Sequence, residues 1–269
     1  MFTALLTIAG FYLILLVALY VFQARLVYFP MRQLTATPRD CRMAYEEVEF
    51  TAADGTKLSA WFVPAAEPRG VVLVCHGNAG NISHRLDTLD VFHGLRLSVL
   101  LFDYRGYGQS EGSPSEEGTY EDAEAAWSYL VKERGIAPDE IVVFGRSLGG
   151  AIAARLAAQH PPRALILEST FTSLPDVAAK IYFFLPVRLL ARFHYDTRAS
   201  VREAACPILI VHSPQDELIP YAHGRALFEA AREPKAFLEI TGSHNGGFVQ
   251  TGQRYVDGLD RFLTAHPKP

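Results

Sequence analysis

One pentapeptide, Gly145-Arg146-Ser147-Leu148-Gly149, constrains the fold more than any other stretch of this chain. It is entered from the apolar run Ile141-Val142-Val143-Phe144 and left through Gly150-Ala151-Ile152-Ala153-Ala154-Arg155-Leu156, so it reads as strand, sharp turn and helix. A serine at such a nucleophile elbow holds a strained backbone that needs small neighbours two positions either side, which Gly145 and Gly149 supply. Its hydroxyl projects at the carboxyl edge of a sheet, and the first amides of the new helix face any oxyanion that forms beside it. The bare pattern is common; the strand before it, the helix after it and two partners downstream give it weight.

A serine hydroxyl is a weak nucleophile at neutral pH. It needs an imidazole base, and the imidazole needs a carboxylate that fixes its tautomer and stabilises its charged form. In this architecture both partners follow the serine along the chain. Ile208-Leu209-Ile210-Val211 leads into His212-Ser213-Pro214-Gln215-Asp216, which puts Asp216 on a loop at a strand's carboxyl end. Ala236-Phe237-Leu238-Glu239-Ile240 leads into Thr241-Gly242-Ser243-His244-Asn245-Gly246-Gly247, a glycine-rich loop able to carry His244 back over the sheet.

Each assignment has a rival. Ser147 could serve only as a helix N-cap. Glu168, after Ala164-Leu165-Ile166-Leu167, stands at another strand end as a second candidate acid, with Asp216 preferred for its acid-presenting loop. Among the other histidines, His84, His93, His160 and His223 are expected on solvated helix surfaces or ends, and His194 and His266 have no motif around them.

The strand Val71-Val72-Leu73-Val74-Cys75 runs into His76-Gly77-Asn78-Ala79-Gly80-Asn81, a loop placed to present a backbone amide to a tetrahedral intermediate. The amides of Asn78 and Leu148 are the expected oxyanion donors. His76 is expected to bond the backbone of its own loop rather than act as base or metal ligand. After the buried strand Leu97-Ser98-Val99-Leu100-Leu101-Phe102, Asp103 and Arg105 are expected to pair and hold the following glycine-bearing loop rigid.

Together, His76 to Asn81, the segment Asp103-Tyr104-Arg105-Gly106-Tyr107-Gly108-Gln109-Ser110-Glu111-Gly112-Ser113-Pro114, the elbow and the Asp216 and His244 loops resemble an α/β-hydrolase. Within that superfamily the chain is similar to membrane-anchored hydrolase-domain proteins grouped with serine aminopeptidase-like and bud-emergence-type sequences. The resemblance runs from about Tyr45 to the end of the chain. It implies a Ser-Asp-His site of esterase type and leaves the substrate open, because the group hydrolyses esters, thioesters and amides. One departure is that Asn245-Gly246-Gly247 follows the histidine where an acidic residue is frequent, so no supporting carboxylate is expected there.

The rest of the chain follows a regular beat. Val48-Glu49-Phe50 and Leu58-Ser59-Ala60-Trp61-Phe62 flank Ala53-Asp54-Gly55, a hairpin signal. Strand patterns at 71–75, 97–102, 141–145 and 164–168 then alternate with helix patterns at 83–94, 116–134 and 148–159. The alternation predicts an α/β fold, a mostly parallel central sheet with helices on both faces. The interval 171–205, rich in aromatics and leucine, breaks the beat where an insertion lies over the site. It is expected to form a short helical lid that shapes an apolar acyl pocket, the other reading being a helix merely packed on the sheet.

From Thr3 to Phe22 run twenty residues without a charge, a length that as a helix matches the ~30 Å hydrocarbon core of a bilayer. With no basic n-region before it and no A-x-A-like site after it, an uncleaved transmembrane anchor over 3–22 is preferred to a signal peptide. Tyr20, Phe22, Tyr28 and Phe29 suit the membrane interface. Arg25, Arg32, Arg39 and Arg42 follow the span and no Lys or Arg precedes it, which places the catalytic domain on the cytoplasmic face. Residues 23–44 read as a juxtamembrane linker and 45–269 as one hydrolase domain.

A net charge of −4 offers no basic face for nucleic acid. Three cysteines argue against a disulfide framework. No C-x-x-C or H-E-x-x-H occurs, so neither metal nor cofactor is expected. The expectation is a membrane-anchored serine hydrolase acting on a small-molecule or lipid-like acyl ester or thioester, with Ser147, Asp216 and His244 as its triad. A serine peptidase or amidase is the enzymatic alternative. An inactive binding protein of the same fold is the other, and it predicts a missing triad member where all three are present.

Overall fold

The computed structural model describes residues 2–268. Eight strands make one sheet: β1 (Glu46–Thr51), β2 (Lys57–Val63), β3 (Val71–Cys75), β4 (Ser98–Phe102), β5 (Ile141–Arg146), β6 (Ala164–Glu168), β7 (Ile208–His212) and β8 (Lys235–Glu239). Their spatial order is β8-β7-β6-β5-β3-β4-β2-β1. The β1–β2 and β2–β4 pairs are antiparallel and every other neighbouring pair is parallel. The chain leaves β3 on one side for β4 and returns on the other for β5, and the carboxyl ends of β3 and β5 therefore border a crevice of the kind that receives ligands in open α/β sheets.

The principal helices, in chain order, are α1 (Phe2–Val21), α2 (Leu86–Gly94), α3 (Glu116–Ser128), α4 (Leu148–Gln159), α5 (Leu174–Ile181), α6 (Thr197–Glu203), α7 (Tyr221–Ala230) and α8 (Gln253–Ala265). Side chains alternate across each strand, so two cores result. Val71, Leu73 and Cys75 pack with α3, α4, α6 and α7. Val72 and Val74 pack on the opposite face with α2 and α8. Burying both faces explains why the parallel strands read as unbroken apolar runs.

Several expected elements differ in detail. The helix pattern over 116–134 breaks into α3 and a π turn, Tyr129–Glu133. The 171–205 interval divides. Helix α5 and the single turn Val187–Leu190 project over the carboxyl edge, whereas α6 buries Thr197, Ser200 and Val201 beside α4 and belongs to the scaffold. The segment 23–44 is not a free tether. Phe29–Pro30 pairs in parallel with Ala79–Gly80, and the Asn81 side-chain amide donates to the carbonyls of Met31 and Gln33 at 2.9 and 2.8 Å. Tyr28, assigned above to a membrane interface, is instead buried with its hydroxyl 2.7 Å from that of Tyr195, because the apolar core under the lid takes its ring. Helix α1 is long and apolar enough to cross a membrane, and none of its residues is buried.

Candidate active site

Ser147 joins β5 to α4 with φ 55° and ψ −122°. A non-glycine residue there costs about 1–3 kcal/mol and persists only where its surroundings over-determine it. Here the Ser147 N–H donates to the Glu168 carbonyl at 3.0 Å, and its own carbonyl accepts from Gly150 N–H at 3.0 Å and Thr170 Oγ1 at 2.7 Å. A Cβ on Gly149 would strike the carbonyls of Cys75 and His76, and one on Gly145 would lie 2.6 Å from Ala153 Cβ. The two glycines let α4 start against the end of β3, which brings the serine to the sheet's edge.

His244 Nε2 lies 3.1 Å from Ser147 Oγ, and His244 Nδ1 lies 2.8 Å from Asp216 Oδ2. With Nδ1–H donating to the carboxylate, Nε2 is left as the acceptor for the serine proton. The other Asp216 oxygen accepts the N–H groups of Leu218 and Ile219 at 3.0 and 2.8 Å. Burial works against the Asp216 charge. The hydrogen bond and charge of His244, the Ile219 amide and the nearby His212 outweigh it and hold the carboxyl below the usual carboxylate range. The two loops are clasped, since Ser213 Oγ donates to the Gly242 carbonyl at 2.6 Å and the His244 N–H donates to Glu217 Oε2 at 3.0 Å.

Asn78 and Leu148 both line the cavity beside Ser147. Among the described residues, neither backbone N–H meets an acceptor. The Asn78 peptide is fixed from three directions: its carbonyl accepts from Tyr107 Oη at 2.7 Å and Phe29 N–H at 3.0 Å, and its side chain donates to the Val27 carbonyl at 2.9 Å. The Asn78 N–H is thereby fixed in direction.

The family described as serine aminopeptidase, S33, matches residues 66–200. The α/β-hydrolase domain-containing protein WAV2 of Arabidopsis thaliana is 36% identical over 91% of this chain and 88% of its own length. Protein bem46 of Schizosaccharomyces pombe is 37% identical over 77% of this chain and 74% of its own. The chain is an α/β-hydrolase of the bem46 type. In fold, the hydrolase superposes on the Pyrococcus furiosus esterase Pf2001 with a TM-score of 0.74 at 19% identity, covering 90% of this chain and 98% of that one.

The remaining residues singled out above find other places in the hydrolase. Glu168 is bonded to residues other than His244. One of its oxygens accepts from Arg146 Nε at 2.6 Å and the other from Tyr255 Oη at 2.5 Å, so the rival acid is spent on a buried pair. His76 donates from Nδ1 to the Gly77 carbonyl at 2.7 Å, bonding its own loop. Asp103 and Arg105 do not pair. Asp103 turns inward and accepts the Ile82 N–H at 3.0 Å, while the buried Arg105 finds Asp122, Asp54 and Glu121 at 2.8, 2.8 and 3.0 Å, three carboxylates that offset its burial better than one. His223 is buried rather than solvated, because it shares the core-facing side of α7 with Leu227 one turn on, and its Nδ1 lies 2.9 Å from Thr172 Oγ1.

Two residues without a motif of their own, His212 and Glu217, support the Asp216 loop. His212, at the end of β7, donates from Nε2 to the Ile219 carbonyl at 2.9 Å, and burial lowers its pKa, keeping the ring neutral. Glu217 holds the backbone of His244. The only sequence signal for either was position, four residues before Asp216 and one after it.

Proposed function

We propose that this hydrolase is a membrane-anchored serine enzyme cleaving acyl esters or thioesters through an acyl-enzyme, with α1 as the anchor and the catalytic domain on the cytoplasmic side. The observation that carries the reading is the continuous relay from Asp216 through His244 to Ser147, opening into a cavity of about 920 Å³. That volume falls within the range of ligand pockets, and Leu174, Val177, Leu185, Leu190 and Phe193 give it apolar walls.

Ser147 Oγ bonds to the acyl carbon as its proton passes to His244 Nε2, and the N–H groups of Asn78 and Leu148 hold the oxyanion. The bond to the leaving oxygen or sulfur then breaks, and that atom takes the proton from His244. Water adds to the acyl carbon and gives a proton to His244; collapse frees the carboxylic acid, and the proton returns to Ser147 Oγ. Asp216 keeps the imidazole in its working tautomer throughout.

The family description favours a peptidase as second reading. An aminopeptidase needs acidic side chains to grip an ammonium group, and Asp87 is the single acid among the described residues lining the cavity. The test is hydrolysis by the full-length protein of acyl esters of graded chain length against aminoacyl amides. Preference for medium or long acyl esters is expected, and preference for the amides contradicts the proposal. Anchoring is tested by alkaline extraction of membranes: the protein stays in the pellet, and release to the supernatant contradicts it.

A further inference from the structure

The lid carries a surface that the acyl-transfer chemistry does not use. Ile181, Phe183, Phe184 and Leu189 are 53%, 83%, 60% and 87% exposed. On a water-facing surface such a patch is an aggregation hazard. It does not stand alone, for it lies along α1. Tyr12 Oη donates to the Phe184 carbonyl at 3.4 Å, and Gln23 Nε2 donates to the Leu190 carbonyl at 3.0 Å. Tyr12 is about two and a half turns from Val21, the end of α1 nearest the catalytic domain. If α1 spans a bilayer, the Phe184 end of the lid lies well inside the hydrocarbon.

The polar groups agree with that depth. Hydrocarbon leaves no water for a stray hydroxyl or carbonyl, and the Tyr12–Phe184 contact satisfies one of each. Pro186, at the turn of the lid, has no N–H to lose. Cations gather at the other end of the patch. The Arg25 guanidinium sits 5.3 Å from the Phe22 ring centroid and the Arg192 guanidinium 5.4 Å from that of Tyr20, a collar suited to lipid phosphates. Arg188 reaches back from the lid to Asp176 at 3.0 Å. The cavity above Ser147 is walled jointly by Leu19 and Leu26 on the α1 side and by Leu185 and Leu190 of the lid.

We infer that the lid tip, residues 181–190, is embedded beside α1 in the same leaflet, so that the cavity opens into the hydrocarbon and the acyl substrate is a membrane lipid that enters sideways. This rests on the hydrolase and anchor readings above. The occupant of the patch is lipid, not protein: it continues the uncharged surface of α1, none of whose residues is buried, and ends at the arginine collar.

The test uses full-length protein in phosphatidylcholine vesicles, with Cys41→Ser removing the exposed thiol and a fluorophore on Phe183→Cys or, as control, on the exposed Glu229→Cys. Lipids carrying a nitroxide on the acyl chain quench the 183 label and iodide does not, while the 229 label behaves in the opposite way. Quenching of the 183 label by iodide overturns the proposal, as does shielding from both quenchers, which marks a protein partner. In unlabelled protein, Phe183→Asp lowers hydrolysis of acyl esters presented in vesicles by about tenfold, because a carboxylate resists the hydrocarbon, and leaves a water-soluble short-chain ester unaffected. Equal hydrolysis of the vesicle ester by variant and wild type contradicts sideways uptake. A wild type that cleaves neither ester defeats the hydrolase reading alone, since the quenching still reports where the lid lies.

Discussion

Asp216 holds His244 with one carboxylate oxygen at 2.8 Å while its second oxygen is committed to the Leu218 and Ile219 amides, so the acid cannot rotate away from the imidazole without breaking its own loop. Asp216→Asn keeps the shape but favours the wrong histidine tautomer. Its kcat is expected to fall by about 10³–10⁴-fold with little change in the urea midpoint. An undiminished kcat in folded protein contradicts the role given to Asp216.

Glu168 presents the opposite case. Glu168→Gln leaves the buried Arg146 guanidinium without its counter-charge, and destabilisation of about 3–5 kcal/mol is expected in urea unfolding. Reaction of Ser147 with an active-site probe, measured on the folded fraction, should persist. Loss of reactivity without loss of stability would transfer the acid role to Glu168.

Gly149→Ala puts a methyl group against the carbonyls of Cys75 and His76. Because backbone rather than a flexible side chain must yield, a loss of about 3 kcal/mol is expected. A thermal midpoint equal to that of wild type contradicts the close approach of α4 to β3.

Stability should fall on the acid side in two steps. Burial lowers the His212 pKa, so as pH drops through about 6.5 the unfolded chain takes up a proton that the folded chain refuses, and stability is lost. The Asp216 carboxyl, held low when folded, adds a second loss below about pH 4. Urea midpoints from pH 8 to 4.5 measure the first step. His212→Gln should make its slope shallower without abolishing it, since burial lowers His223 in the same direction. An unchanged slope removes His212 from this account.

The sheet was readable because its strands are buried on both faces and so declare themselves as apolar runs, and the elbow because few sequences other than Gly-x-Ser-x-Gly between strand and helix tolerate its geometry. What stayed hidden depends on partners distant in the chain. Arg105 meets Asp54 and Asp122 only once the β1–β2 turn and α3 converge, and nothing near Arg105 in sequence announces either. Tyr28 reads as an interfacial aromatic until Tyr195 arrives to take its hydroxyl. The preference for Asp216 over Glu168 came from its loop, while the partners that occupy Glu168, Arg146 and the distant Tyr255, were not announced. The lid boundary was blurred because Phe193 and Tyr195 continue the aromatic composition of the exposed lid tip, yet both are buried in the core beside α3 and α6.

The most direct test is covalent labelling by a fluorophosphonate probe, which reacts with a serine only where base and oxyanion donors are both in place. Stoichiometric labelling of the wild type at Ser147 is expected, with none in Ser147→Ala and strongly slowed labelling when His244 is replaced by alanine. Folded wild-type protein that takes up no probe, or labelling that survives Ser147→Ala, contradicts the assignment of Ser147 as nucleophile.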